Sequence, residues 1–565
     1  MFTSSVFSQN YERLAPKEGL RHRDASPPIL KAPDSSQNTE ESEIIIQSLQ
    51  SIWFASNPEK MNQIAVSEKI LAGLFSVDLP LLKEARFQNQ LKSYFGKPAS
   101  MKTLREIARK TVQYYALKNS PVVDVWIPEQ EDVSAGHVRM IVSEAKIGEI
   151  EVTGNHYFKK TNYFDAVHLK EGKPIDSAIL REDIRALNRN PFNQVSASLS
   201  PGGSENVTNI QLQVKDRFPA QFYTGYEDTG TALTGSDRLY AGVFWGDAFQ
   251  ERHRFGYQFT TSPDLEMIRA HSANYTIPLP NHHEWSIQGS YAETKADVVE
   301  PFRLKGKSWT VGTRYMIPLR SGENWSHEME GGFDFKQTNS NLDFGQSTVF
   351  QHLADINNYL VGYRWKMNDP LGKTEASLHG FYNPGEGTSN IHDQAIKNLR
   401  SFAEAQYFYA QGSLKRTLIL PADFRYVGHY RGQYTSDALP PSEMWNVGGW
   451  ESVRGYEEYA ASGDRGWVYA QELQTPGIHI GNWVKEPGLQ DELRFHIFYD
   501  LGWSQNLKTF VGEKEDHFLI GTGIGLRYSI NTYMNLRFDY GFQLKEKDLS
   551  GLGNQRAHLG VVLSY

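Results

Sequence analysis

The sequence predicts a β-rich protein: a transmembrane β-barrel of about sixteen strands, preceded by two α/β units ordered β-α-α-β-β. Three observations carry this reading. Over residues 218–565 side chains alternate with a period of two. Over residues 44–217 helical and strand periodicities mix, and one order of elements occurs twice. The composition is aromatic and glycine-rich yet polar, with 29 Tyr, 30 Phe, 12 Trp and 47 Gly in 565 residues and a mean hydropathy of −0.53. No run approaches the roughly 20 apolar residues of a spanning helix. A barrel tolerates that polarity, because only alternate residues of each strand meet lipid.

Taken in order, residues 1–43 are Pro/Ser-rich and read as a linker, with at most a short helix around Val6 to Leu14. The first unit, 44–146, opens with strand candidates at Ile44–Ile46 and Ile70–Val77 and a helix over Leu81–Tyr94. A second helix follows from Leu104, Ile107, Ala108, Thr111, Val112 and Tyr115 at helical spacing, with Ser100 as N-cap. The strands "VVDVWI" and "HVRMIVSEA" close it. The second unit, 147–217, repeats the order. Its strand "IGEIEVTGN" precedes a helix near Tyr163–Leu169 and one carrying Leu180, Ile184 and Leu187, before "QVSASLS" and "VTNIQLQV". The first unit has one strand too many before its helices, so 44–69 reads as an added element.

In the barrel, Leu493, Phe495, Ile497, Tyr499, Leu501 and Trp503 share one face, and Arg494, His496, Phe498, Asp500 and Gly502 the other. Met534 to Lys545 alternates in the same way. Lipid outside and water inside satisfies both faces. Connections alternate in length: "GDAFQ", "PLPNHH", "PLRSGENW", "NDPLG", "QGSLK" and "NT" are short, whereas "NPGEGTSNIHDQAIKNL" and a loop within 431–467 are long. The stretch Ile478–Gln490 is long for a turn on the short side. An even strand count places both chain ends of the barrel on that side, which predicts periplasmic N-terminal units.

Several functions are excluded. Without cysteine there is no disulfide scaffold, thiol nucleophile or iron–sulfur cluster. A net charge of −8 leaves no basic footprint for nucleic acid. His282 and His283 sit in a short turn, no histidine has metal-ligand spacing, and no Walker loop, nucleophile elbow or carboxylate pair occurs. The run "GTGIGLR" is a strand, since Gly521, Gly523 and Gly525 alternate with Thr522, Ile524 and Leu526. Those glycines predict room for a loop tip against the wall. The expectation is therefore no enzyme, no metal and no cofactor. The N-terminus lacks a basic-then-apolar export pattern, so an exported chain would be numbered from after a removed signal.

The longest loop contains "NVGGWESVRGYEEYAASGDRG". Its Val453, Arg454, Gly455 and Tyr456, between the eleventh and twelfth strand candidates, resemble the loop-six motif of the two-partner secretion transporters. "FYDLG" on the thirteenth resembles their Phe-x-Asp-x-Gly motif, here Phe498, Asp500 and Gly502. The repeated β-α-α-β-β units resemble POTRA domains, and "IPEQEDVSAG" is similar to family text. Leu559, Val561, Leu563 and Tyr565 alternate up to a terminal aromatic, which resembles the signal by which outer-membrane barrels are assembled.

The resemblance covers residues 70–565. It implies a monomer in the cell outer membrane, set in its lipid by the barrel-assembly machinery, that secretes a large adhesin- or haemolysin-type exoprotein with an N-terminal secretion domain. An N-terminal plug helix is common in the family, but nothing in 1–43 is amphipathic enough to secure one. Two alternatives share features: a barrel-assembly insertase has the loop motif, and a passive pore would need no POTRA repeat.

Arg454 by default is a solvated loop charge. Alternation turns Asp500 inward, so a loop folded into the lumen would bring the two together with bidentate geometry that lysine cannot reproduce. Phe498, on the same face, would then pack beside the guanidinium.

Overall fold

The computed structural model describes residues 15–16, 43–64, 72–130, 133–204, 206–232, 234–297, 302–344, 347–484, 490–547, 549 and 553–565. The helix considered at Val6–Leu14, and with it a plug, lies outside them. The chain forms two compact units, one of residues 25–189 and 193–217, the other containing 218–565.

The first unit holds a two-stranded ladder, Ile44–Ile46 with Ala99–Ser100, and two larger sheets. One has the order Gly73–Val77, Ser51–Ala55, His137–Glu144, Val123–Trp126; the second has Lys146–Thr153, Val207–Asp216, Asn193–Pro201. In the second sheet Lys146–Thr153 runs parallel to Val207–Asp216, and helices Lys160–Phe164 and Ser177–Leu187 supply the connection. The first sheet corrects the sequence reading. Its central strand is Ser51–Ala55, inside the stretch read as an added element, and Gly73–Val77 is an edge. A central strand covered on both faces shows no alternation; four of these five residues are fully buried.

The helix drawn over Leu81–Tyr94 is three short pieces, a 3-10 turn Pro80–Lys83, an α-turn pair Ala85–Leu91 and a 3-10 turn Lys92–Tyr94, because Glu84 takes an extended conformation between the first two. The next helix runs Met101–Leu117, and Ser100 and Thr103 form a capping box. It buries Leu104, Ile107, Thr111, Tyr114 and Tyr115 against the sheet.

The second unit is a closed antiparallel barrel of 16 strands. They are β1 Ala220–Glu227, β2 Arg238–Ala248, β3 His253–Thr261, β4 Ile268–Pro278, β5 Glu284–Asp297, β6 Phe302–Pro318, β7 Trp325–Phe344 and β8 Ser347–Asp369. Then follow β9 Gly372–Pro384, β10 Gln406–Ile419, β11 Arg425–Thr435, β12 Arg465–Gln474, β13 Asp491–Gln505, β14 Asp516–Ile530, β15 Met534–Lys545 and β16 Gln555–Ser564. The period of two separates the faces: on β13, Phe495, Ile497 and Tyr499 point outward and exposed, while Arg494, His496, Phe498 and Asp500 are buried inward.

"QGSLK" is not a turn. It lies within β10, where Gly412 pairs with Leu378 and Gly432, and the chain reverses at "LPADF", Leu420–Phe424. That turn has the conformation of Leu279–His283: Leu420 N–H donates to Phe424 O and Leu279 N–H to His283 O, both at 2.8 Å. A proline after the leucine starts each turn, a stronger reversal signal than one glycine in an alternating run. The loop assigned to 431–467 is shorter, since Arg431–Thr435 belong to β11 and Arg465–Trp467 to β12. Ile478–Gln490 contains a short helix, Gly481–Val484. The barrel closes by β1 on β16, from Tyr223 opposite Ser564 to Glu227 opposite Gly560.

Candidate functional site

The loop between β11 and β12 folds back into the lumen. Its two legs pair as a small ladder, Trp445–Val447 with Ala461–Gly463. Gly448 and Gly449 turn the chain at φ 102° and 100°, a region closed to most side chains. Beyond them Val453 and Tyr456 are buried with Val447, Ala461, Val468 and Leu519, an apolar cluster that seats the tip on the wall.

The tip presents Arg454. Its Nε lies 2.7 Å from Asp500 Oδ2 and its Nη2 2.9 Å from Oδ1, and its backbone N–H donates to Oδ2 at 3.1 Å. The guanidinium carbon stands 3.9 Å from the centre of the Phe498 ring. Arg454 is 2 % exposed and Asp500 is fully buried. The pair is therefore out of water, where an unpartnered charge is costly and a bidentate contact is strongest.

More residues meet here than the sequence suggested. Arg454 Nη1 also reaches Glu472 Oε1 at 2.5 Å on β12 and Asp539 Oδ1 at 3.3 Å on β15. Arg527 on β14 bridges the same two carboxylates, at 2.8 Å and 3.0 Å, and His496 Nε2 lies 2.7 Å from Asp539 Oδ1. Alternation had already turned His496 and Asp539 inward, but it gives no depth along the barrel and so named no partners. Glu472, His496 and Asp539 converge closely enough to suggest a metal cradle. Arginines already hold both carboxylates, and that donor set favours a salt-bridge network over a cation site.

Glycines make the approach fit. A Cβ on Gly502 would press on Val447 and Val453, one on Gly521 would strike Arg454 O, and one on Gly541 would meet Gly455 N at 2.5 Å. Of the three glycines in "GTGIGLR", Gly521 alone faces the loop. Gly523 makes room for Phe498, and Gly525 for His496 and Asp539. Gly455 itself sits at φ 94°, and its N–H donates to His558 Nε2 at 3.2 Å. Tyr456 Oη donates to Lys545 O and lies 3.1 Å from Ile520 O.

Leu559, Val561, Leu563 and Tyr565 are at the closing edge. Leu563 and Tyr565 are exposed on the outer face, and Tyr565 exchanges backbone hydrogen bonds with Phe222 at 2.9 Å and 3.0 Å. Inside the barrel, a cavity of about 850 Å³ lies beside the loop, lined by Glu227, Arg238, Arg314, Glu330 and Arg431 among others. His283, read as a solvated turn histidine, meets Tyr315 Oη through Nδ1 at 2.8 Å.

A closed 16-stranded barrel with a polar lumen, an inward, arginine-anchored loop and N-terminal β-α-α-β-β units defines an outer-membrane barrel protein. The chain belongs to the haemolysin secretion/activation family, ShlB/FhaC/HecB, whose signature matches residues 206–528. A POTRA domain, described as a surface antigen variable number repeat, matches 145–217. The chain is similar to the heme/hemopexin transporter protein HuxB of Haemophilus influenzae, 23% identical over 460 residues, which cover 78% of this chain and 77% of that protein. It is also similar to the outer membrane transporter CdiB of Dickeya dadantii, 21% identical over 67% of each chain. Its fold matches the structure of CdiB from Escherichia coli with a TM-score of 0.76, covering 96% of this chain and 94% of that one at 16% identity. The chain is thus an outer-membrane transporter of the two-partner secretion kind, with its N-terminal POTRA region in the periplasm.

Proposed function

We propose that the chain takes an unfolded exoprotein, of adhesin or haemolysin type with an N-terminal secretion domain, from the periplasm and passes it through the barrel lumen without chemistry. The observation that carries this is the loop held in the lumen by Arg454 and Asp500 beside a polar cavity. A transport path needs a polar wall and an element that sets its open cross-section, and these residues supply both. HuxB is named for heme and hemopexin transport and ShlB of Serratia marcescens for haemolysin transport, which supports a dedicated protein cargo here.

Cargo recognition falls to the POTRA region. Among the described residues its sheets end in strands with one unpaired edge, Gly73–Val77, Val123–Trp126 and Asn193–Pro201 among them. Strand addition there would hold an extended chain by main-chain bonds, with alternate side chains giving selectivity. The proposal also holds that the protein works as a monomer, in outer-membrane lipid, placed there by the barrel-assembly machinery through Leu559, Val561, Leu563 and Tyr565.

Co-expression with a candidate exoprotein, followed by assay of the medium, tests this. Secretion by the full chain, lost on deleting 147–217 while a heat-resistant barrel remains in the membrane, is the expected result. Secretion that survives the deletion would remove the POTRA region from cargo reception. Failure of other outer-membrane barrels to assemble without this protein would point to an insertase instead.

A further inference from the structure

The loop that carries Arg454 is also held 11 residues earlier, against a different stretch of wall. Glu443 lies in the 3-10 turn Pro441–Glu443, and its side chain is 1 % exposed. Its Oε1 is 2.9 Å from Lys336 Nζ on β7 and accepts from Ser442 Oγ at 2.8 Å. Its Oε2 accepts from Asn358 Nδ2 on β8 at 2.9 Å and from Tyr409 Oη on β10 at 2.6 Å. Tyr407 Oη in turn donates to Asn358 Oδ1 at 2.9 Å, and Asn358 is fully buried. Gln433 on β11 donates to the carbonyls of both Glu443 and Asp464, each at 2.9 Å, and so ties the two legs of the loop to one strand.

A carboxylate taken out of water needs a countercharge and a full set of donors. Here the wall supplies them from three strands. The Arg454 contacts lie on β12, β13 and β15, so the two holds share none of these partners. We propose that Glu443 is a second positioning residue for transport, which fixes the leading leg of the loop to Lys336, Asn358 and Tyr409 independently of Arg454. Release of Arg454 then frees the tip but leaves the leg in place, and the loop swings about Glu443. This rests on reading the loop as the element that sets the open path for cargo.

The native chain has no cysteine, so single thiols report on each part separately. Asn446→Cys probes the leg and Ser452→Cys the tip, each in the full chain in intact cells, read by the rate of labelling with an impermeant maleimide. Glu443→Gln and Lys336→Met should each speed labelling at 446 by about tenfold while 452 changes by less than about twofold. Arg454→Ala should do the reverse. The charge exchange Lys336→Glu with Glu443→Lys should restore protection at 446, which a purely steric role for Glu443 would not do.

Barrel closure is checked in every variant by resistance to heat during electrophoresis. Unchanged labelling at 446 in both Glu443→Gln and Lys336→Met, with closed barrels, overturns the proposal. So does Arg454→Ala freeing 446 and 452 alike. Because labelling does not depend on cargo, absence of secretion by the wild-type chain would count against the transport reading alone.

Discussion

The ion pairs of the lumen and those of the POTRA helix have similar distances and different surroundings. Lys118 Nζ stands 2.6 Å from Glu84 Oε2, as close as Arg454 Nε is to Asp500. Yet the side chains of Lys118 and Glu84 are 35% and 37% exposed, against 3% and 0% for the lumenal pair. In water an ion pair gives about 0–1 kcal/mol, because each charge is solvated equally well without its partner. Removing one partner of a buried pair strands the other, at a cost of about 3–5 kcal/mol. Separation alone therefore says little; the water around the pair decides what it does.

The largest expected effect follows from the lumenal side of this contrast. Arg454→Ala and Asp500→Ala should each abolish or sharply reduce secretion, while the barrel, closed by its own ladder, stays heat-resistant. The double variant should be little worse than Arg454→Ala alone, since Asp500 meets the loop through Arg454, whereas Arg454 also reaches Glu472 and Asp539. Additive losses in secretion assays would mean that they act separately.

Gly541→Ala should come next. Its Cβ would meet the backbone of Gly455 without removing any charge, so the tip should lift and secretion should fall less than in Arg454→Ala. Secretion at the wild-type level would show that the tip can shift without loss.

In the POTRA region the effects shrink. Ser100→Ala removes the cap of Met101–Leu117 and should cost about 1 kcal/mol, read as an earlier loss of helical signal on heating.

Glu84→Gln should be the smallest. The hydrogen bond from Lys118, then that from Tyr114, holds the Glu84 carboxyl below its ordinary range. A carboxylate depressed in the folded state stabilises above its unfolded value and loses that contribution as pH falls through the folded one. The wild-type chain should therefore exceed the variant slightly in melting temperature at neutral pH, and the gap should close in acid. A gap that widened in acid would reverse the assigned sign.

The contrast also explains what could be read from the sequence. Alternation is a local property, so Phe495 and Asp500 could be assigned to opposite faces from β13 alone. The capping box at Ser100 is equally local. Depth in the lumen is not local: Glu472 and Asp539 meet Arg454 because three strands bring them to one height, and no spacing encodes that. The motif resemblance joined Arg454 to Asp500 across 46 residues, but left the other carboxylates unassigned. Glu443 had no signal beyond an acid in the proline-rich "LPPSE". Ser51–Ala55 escaped for the opposite reason, because burial on both faces erases the period that marks a strand.

The hairpins β6 to β8 carry strands of 17, 20 and 23 residues. At about 3.3 Å per residue β7 runs about 66 Å, which at a strand tilt of about 40° spans about 50 Å, whereas the lipid-facing belt of such barrels is about 25 Å tall. The surplus rises on the side opposite the short turns, as a rib of sheet standing clear of the bilayer. An antibody against the rib should therefore bind intact bacteria without any breach of the envelope.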